Sequence, residues 1–439
     1  MTRSASRPAP ASGLLPRLLD LRPGEGPAVA WSFLFFFLLM ACWFGLRPLR
    51  DALVRSEEIQ WLWTGTFLAS LAASLAFAGL IGRHRARVFL PWTWRFFGLC
   101  LLLFYAAATG LGETGLLWTG RVFYIWASVF NLFAISLFWS WMADVWRPGE
   151  GRRLYGLIGL GGTLGALAGS AATALLVEVL GADRLLLVAV ALLEAALFCA
   201  RRLRPRVRDE GPSAPARGRA GFLEGLRETL RQPALLGLAG YLLFLTLAAA
   251  FLYRGKIEIV HALGEDRDLR TGAFAWVQTA EQAATILVQA FVTSRILGRL
   301  PVAVCLGILP VTAGLGFALL ARWPGYGLLV LASSAVNLSK YAFSRPGREL
   351  IFTLVGPVAR YKSKNFLDLA VYRGGDLLGA WAWTALAAGF GLGLGGLLAA
   401  MVPFSLVWAG LSLRLGGHAQ RLLDGRSPEA RPVPPDEEP

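Results

Sequence analysis

Residues 27–51 read PAVAWSFLFFFLLMACWFGLRPLRD. From Val29 to Leu46 the run carries no charge, and then Arg47, Arg50 and Asp51 follow within one helical turn. A helix rises about 1.5 Å per residue, so about 20 apolar residues cross the roughly 30 Å hydrocarbon layer. The run is long enough to span, and its closing charges are expected inside the bilayer. The preceding residues 1–26 are polar and proline-rich, and no small-residue cleavage site follows the apolar run. The segment therefore reads as a retained membrane helix, not as a cleaved signal.

The same pattern recurs along the chain. Apolar runs near 27–50, 59–81, 89–111, 118–142, 154–179 and 183–200 are followed by a second set near 234–256, 272–294, 299–321, 326–344, 366–388 and 393–415. Charged residues make up only 16% of the 439 residues, where a soluble chain carries about 25%. The expected fold is an all-α polytopic membrane protein with twelve transmembrane helices. The net charge of +15 invites a nucleic-acid reading, but the arginines flank the apolar runs and act as topology signals. No nucleic-acid partner is expected. With the N-terminus inside, most of the 43 Lys and Arg residues fall on the cytoplasmic side, which places both termini there.

Between the sixth and seventh runs lies a polar stretch holding Pro205, Pro212, Pro215 and nine arginines. The expected organisation is a cytoplasmic tail (1–26), a six-helix bundle (27–200), a basic linker (201–233), a second six-helix bundle (234–415) and a disordered tail (416–439). Internal similarity supports two repeats. Gly161-Gly162-Thr163-Leu164-Gly165-Ala166 in the fifth run is echoed by Gly374-Gly375-Asp376-Leu377-Leu378-Gly379-Ala380 in the eleventh. Arg47, Arg50 and Asp51 at the end of the first are echoed by Arg254, Lys256 and Glu258 at the end of the seventh. Two parallel six-helix repeats are the plan of major-facilitator transporters. The preference for Arg over Lys, with abundant Ala, Gly and Leu, points to a bacterial cytoplasmic (inner) membrane.

Several chemistries are excluded. Cys42, Cys100, Cys199 and Cys305 stand singly, and His84, His261 and His418 are far apart, so no metal or disulfide spacing exists. The glycine-rich fifth run has no Gly-Lys-Ser/Thr ending and is no phosphate loop. Gly161, Gly165 and Gly169 instead form a stripe for close helix packing. No cofactor, metal or catalytic set is expected. Trp61, Trp63, Trp92 and Trp94 flank apolar runs and are expected in an interfacial belt.

Charge at bilayer depth is expensive, so it tends to face water and bind something. Arg47 and Arg50 are three apart and share a helix face, and a guanidinium matches phosphate or carboxylate. Pro48 offers the competing reading that the helix ends there. The expected substrate-binding residues are Arg47, Arg50, Asp51 and Asn131 in the first half, with Arg254, Lys256, Gln278, Glu281, Lys340 and Arg373 in the second. Gln278, Glu281, Gln282 and Gln289 are expected to line one polar face. Arg373 and Asp376, three apart, are expected to pair.

Four segments then resemble one known family: Leu46–Leu53, Phe138–Asp144, Lys340–Glu349 and Lys362–Asp368. They are similar to the ATP/ADP translocases of plastids and intracellular parasites. The resemblance implies twelve helices and, in the founding members, exchange of ATP for ADP. It matches Arg50 and Asp51 to the family's basic–acidic pair. Family glutamates of the fourth and seventh helices fall on Ser128 and Tyr253, and a family lysine of the eleventh falls on Asp376. Asp376, Asp368, Arg348 and Lys364 are assigned to coupling or gating. The expected function is alternating-access transport of a small anionic solute, with nucleotide exchange as one form and proton-coupled carriage of another organic anion as the alternative. A lipid-modifying membrane enzyme would need a convergent catalytic set, which the sequence lacks. The expected partners are the solute and the lipid bilayer, and the expected unit is a monomer.

Overall fold

The computed structural model describes residues 22, 24–81, 86–206, 218–289, 300–355, 363, 364, 366–423 and 425. Among the described residues there are helices and turns and no strand. Helix α1 is Gly26–Ala52, α2 Ile59–Ile81, α3 Ala86–Gly110, α4 Glu113–Val145, α5 Pro148–Leu180 and α6 Ala182–Leu203. A linker helix, Gly218–Arg231, leads to α7 Pro233–His261, α8 Arg267–Val288, α9 Val302–Arg322, α10 Tyr326–Ser339, α11 Tyr372–Phe390 and α12 Leu394–Leu423. Seven of the described helices are long and apolar enough to cross a membrane: α1, α3, α4, α5, α7, α9 and α12. Charges at both ends of α6 and the Gln278–Glu281–Gln282 group of α8 make those two more polar.

The chain divides into two compact units. One comprises Met1–Arg50 with Ser70–Ala214, and the other Asp51–Ala69 with Pro215–Pro439. The division falls between Arg50 and Asp51, inside α1. Pro48 does not end that helix, which runs on to Ala52. Arg47, Arg50 and Asp51 are therefore helical residues and not part of a following loop.

In the first unit α1 packs against α5 through the glycine stripe. A Cβ on Gly161 would stand 2.5 Å from the Phe33 carbonyl oxygen, and Gly165 and Gly169 press equally hard on Phe37 and Ala41. One turn further on, Thr173 donates to the Gly45 carbonyl at 3.2 Å. Contacts advance by four residues on both helices, so the two run parallel with backbones nearly touching. Lipid offers no hydrophobic drive between helices, and such close van der Waals packing supplies the association instead. Helix α3 packs on α6. Aromatic rings of α1, α3 and α4 fill the interior: Phe130 stacks on Trp126 at 5.5 Å and meets Phe97 edge-on at 5.1 Å. Trp94 joins that cluster and is 2% exposed. It is a core residue, unlike the expected belt position, whereas Trp61 and Trp92 are largely exposed.

The N-terminus of α1 is pinned within the same unit. Arg153 donates to both oxygens of Glu25 at 2.6 and 2.7 Å, and the Arg22 amide donates to it at 2.9 Å. Burial raises the Glu25 carboxyl pKa, but those hydrogen bonds and the Arg153 charge outweigh it and hold it below the usual carboxylate value.

The second unit repeats the motif. Gly375 of α11 abuts Thr246 of α7, and a Cβ on Gly379 would lie 2.5 Å from that of Ala250. Again the contacts advance by four residues in parallel. Helices α9 and α12 run antiparallel, with Gly314 against Ser405 and Gly416 against Ala303. That last contact explains why α12 continues to Leu423 although a disordered tail is expected from residue 416. Ala419 is buried, and Gln420 accepts a hydrogen bond from the first amide of α9 at 3.4 Å, so the chain has packing and capping to keep it helical.

Two π turns interrupt the second unit. The first, Lys340–Ser344, joins α10 to a short helix, Arg345–Thr353, and the second, Leu367–Val371, enters α11. Such turns place one extra residue in the helical path and are common at functional sites.

Candidate functional site

In the first unit, Trp43, Arg47 and Arg50 lie on one face of α1 at spacings of four and three. Tyr124, Ser128 and Asn131 lie on one face of α4 at the same spacings. The two faces meet. The Arg50 guanidinium lies 4.7 Å from the Tyr124 ring and 5.6 Å from that of Trp43, and it donates to Ser128 Oγ at 3.3 Å. Ser128 in turn donates to the Tyr124 carbonyl at 2.9 Å, which fixes its oxygen as the acceptor. Arg50 is 8% exposed. Stacking on aromatic faces steadies a desolvated guanidinium while leaving the planar edge for bidentate contacts. Arg47 is half-buried one turn earlier, and the buried Asn131 Oδ1 has no hydrogen-bond partner among the described residues.

Asp51 belongs to the second unit and is buried. The Tyr253 hydroxyl donates to its Oδ1 at 2.8 Å. The two positions at which the family resemblance expects glutamates are thus the contacts of the basic–acidic pair: Ser128 touches Arg50 and Tyr253 touches Asp51. A glutamate at 128 would place a carboxylate against Arg50, where this chain has a hydroxyl.

Arg254 has a different setting. Its Nη1 donates to Thr384 Oγ1 at 3.0 Å, Gln60 Oε1 at 3.3 Å and the Ala380 carbonyl at 3.4 Å, and Nη2 donates to the Ser56 carbonyl at 2.7 Å. The Trp383 ring covers it at 5.3 Å, and Ser56 Oγ also donates to Glu258. Arg254 is therefore a tie that holds the turn Ser56–Glu58 and the start of α2 to α7 and α11. Four protein acceptors meet its two Nη groups, whereas its buried Nε has no acceptor among the described residues. Lys256 and Glu281 similarly form a buried ion pair at 2.5 Å joining α7 to α8. Gln278 is buried one turn before Glu281, whereas Gln289 is exposed, so the expected polar face of α8 does not line one place throughout. Asn337 of α10 donates to Thr285 and to the Glu281 carbonyl of α8 at 3.2 and 3.4 Å.

Lys340 opens the first π turn and Tyr372 directly follows the second. The lysine donates to the tyrosine hydroxyl at 2.9 Å, and its ammonium lies 5.4 and 5.6 Å from the rings of Tyr341 and Tyr372. Asp376, one turn along α11, is within electrostatic reach of both Lys340 and Arg373. The pairing expected between Arg373 and Asp376 is thus one side of a three-charge group. Arg348 is half-buried and acts electrostatically on Tyr241. Lys364 pairs with Glu349 at 2.8 Å with both side chains exposed, an arrangement that contributes about 0–1 kcal/mol. The Asp368 side chain lies outside the described residues.

Sequence reasoning missed Trp43, Tyr124, Tyr341, Tyr372 and Thr384. The signal was present for the first two, since aromatics four residues apart on a helix carrying a buried arginine form a stacking face. Nothing in the linear sequence marks the π turns.

No family model and no curated protein matches the chain, so the translocase resemblance rests on the quoted segments alone. Solved structures do match. The chain is similar to the nucleoside transporter NupG at 15% identity over 89% of this chain and 98% of that one, with a TM-score of 0.61. It is also similar to a POT family transporter in complex with 5-aminolevulinic acid at 10% identity, covering 89% and 96%, with a TM-score of 0.65. A bacterial homologue of the human lysosomal transporter Spinster aligns over 94% of this chain and all of its own at 14% identity, with a TM-score of 0.52. The fold is that of the major-facilitator transporters. The α1–α5 and α7–α11 seams are both parallel and both built on glycines four residues apart. Identity at this level speaks for the fold alone, and the side chains described above are this chain's own.

Proposed function

We propose that the protein is a secondary transporter that moves a small organic anion by alternating access. The observation that carries this reading is Arg50, a buried guanidinium stacked between Trp43 and Tyr124 and hydrogen-bonded to Ser128, where the α1 face that also carries Arg47 meets the α4 face that also carries Asn131. Charge kept in a membrane helix at several kcal/mol of cost usually serves a ligand or an ion path. Stacked arginine favours planar or bidentate anions. Nucleotides and other phosphorylated metabolites are the first candidates, through the translocase resemblance, and the solved neighbours named for nucleoside and peptide transport are compatible with a polar organic solute. The protein would work in a bacterial inner membrane with both termini cytoplasmic, as a monomer.

The Lys340–Tyr372–Asp376–Arg373 group favours a second element of the same reading. A carboxylate held between two cations beside a π turn can exchange a proton as its surroundings change, which makes Asp376 the proposed coupling residue. The test is uptake and counterflow in proteoliposomes with labelled nucleotides and organic anions. The expected result is saturable counterflow of at least one anion that Arg50→Ala abolishes and Arg50→Lys restores in part. Transport and binding that are indifferent to Arg50→Ala would remove the assignment, and transport unaffected by Asp376→Asn and by a pH gradient would remove the coupling role.

A further inference from the structure

Helices α1 and α6 of the first unit run antiparallel. Trp31 meets Phe198 edge-on at 5.8 Å, and further along the seam the Cys42 thiol donates to the Ala189 carbonyl at 3.6 Å. The end of α6 and the turn after it carry Arg201, Arg202, Arg204 and Arg206. Arg206 is spent within the protein, donating to the Gly24 carbonyl at 2.8 Å and lying 5.1 Å from the Trp146 ring. Arg202 is held differently, with its guanidinium 4.9 Å from the Phe198 ring and 5.9 Å from that of Trp31. It has no carboxylate or carbonyl acceptor among the described residues. The Glu25 carboxylate at the start of α1 is already paired with Arg153. Glu194 is exposed on α6, but it stands eight residues and about 12 Å along the axis from Arg202, too far to be its partner.

A topology signal needs only charge, and a basic residue that caps a helix end turns to the last carbonyls. Neither role calls for two rings that hold the guanidinium plane and leave its donor edge open. Arg201 and Arg202 are both exposed, and so are the apolar side chains Leu34 of α1 and Leu187 and Phe198 of α6. Arginine and aromatic rings at the rim of an exposed apolar strip suit a phospholipid, whose phosphate takes bidentate donors and whose chains cover the strip. We propose that the α1–α6 edge is a binding site for an acidic phospholipid, with its phosphate on Arg202 and its acyl chains along Leu34, Phe198 and Leu187. The neighbouring charge of Arg201 favours a head group of net negative charge over a zwitterionic one.

The probe is dioleoyl phosphatidylglycerol titrated onto the full chain in detergent and read as retained lipid by native mass spectrometry. Dioleoyl phosphatidylcholine and glycerol phosphate are the comparison ligands. The acidic lipid should bind about tenfold more tightly than the zwitterionic one, as two interfacial arginines provide. Arg202→Gln should weaken it about fivefold, and Arg202→Lys should recover only part, since an ammonium lacks the planar fork. Trp31→Leu keeps the apolar surface and removes one ring, and it should weaken the acidic lipid about two- to fivefold. Melting temperature in phosphatidylcholine reports folding, and Trp31→Leu carries the test if Arg202→Gln melts low. Arg421→Gln, at an exposed arginine of α12, should change nothing. Equal binding of the two lipids overturns the proposal, as does indifference to Arg202→Gln and Trp31→Leu. An equal loss in Arg421→Gln also overturns it, because the attraction would then be diffuse charge. Glycerol phosphate that competes at equal concentration assigns the site to a soluble anion and overturns the lipid.

Discussion

Arg50 and Arg254 stand near the ends of the first helices of the two repeats, and they are held in opposite ways. The contacts of Arg50 include two aromatic faces and a serine hydroxyl. Arg254 donates to two backbone carbonyls, a glutamine and a threonine under a tryptophan. Backbone carbonyls cannot move without their helices, so Arg254 serves as a structural tie. Side chains such as Ser128 can change rotamer, so under the proposed function Arg50 is the arginine whose partner can be exchanged. A repeated motif in sequence therefore does not imply a repeated task.

The largest expected effect comes from breaking the tie. Arg254→Ala should lower stability by about 3 kcal/mol or more, since it leaves several buried acceptors without donors. Thermal unfolding in nanodiscs would show it, and Arg254→Lys should recover little because a point charge cannot reach all four acceptors. Arg50→Ala should do the reverse, with a small change in melting temperature and a loss of about ten- to a hundredfold in transport, or roughly 1.4–2.7 kcal/mol. If both variants behaved alike in melting and in flux, the contrast would be wrong.

The two glycine seams sharpen the comparison at lower energy. Gly165→Ala places a methyl hard against the Phe37 backbone, whereas Gly379→Ala presses on the Ala250 methyl and meets the Leu247 backbone only at ordinary contact distance. Overpacking costs about 1–3 kcal/mol, and the first variant should sit at the upper end and the second at the lower, as read by yield and melting temperature. The smallest effect concerns Glu25. Its pKa is lowered in the folded chain, so its stabilisation is complete above the unfolded value of about 4.3 and is lost as pH falls through the lower folded value. Melting temperature should drop in that acidic window, and Glu25→Gln should remove that component of the dependence.

Membrane character, the all-helical class and the repeated glycine motifs were legible because lipid and close packing act on local composition. A span needs about 20 apolar residues, and a seam needs small residues four apart. Both requirements are satisfied within one helix and can be read along it. The stacking face of Arg50 was half-legible, since Trp43 lies on its own helix but Tyr124 and Ser128 come from α4. The aromatic burial of Trp94 was misread because a tryptophan at a run's edge suits an interface as well as a core, and only its neighbours distinguish the two.

What the sequence by itself determined is a chain of apolar helices with arginine, lysine and aspartate where lipid makes charge costly. Which of those charges are ties, which are pairs and which are stacked among aromatics was decided by tertiary structure. Arg254 meets residues more than a hundred positions away, Lys340 meets Tyr372 across two π turns, and Arg202 lies over Trp31 of another helix. The physical reason is that burial of charge is set by local composition, whereas its compensation is set by partners that only folding brings within hydrogen-bond reach.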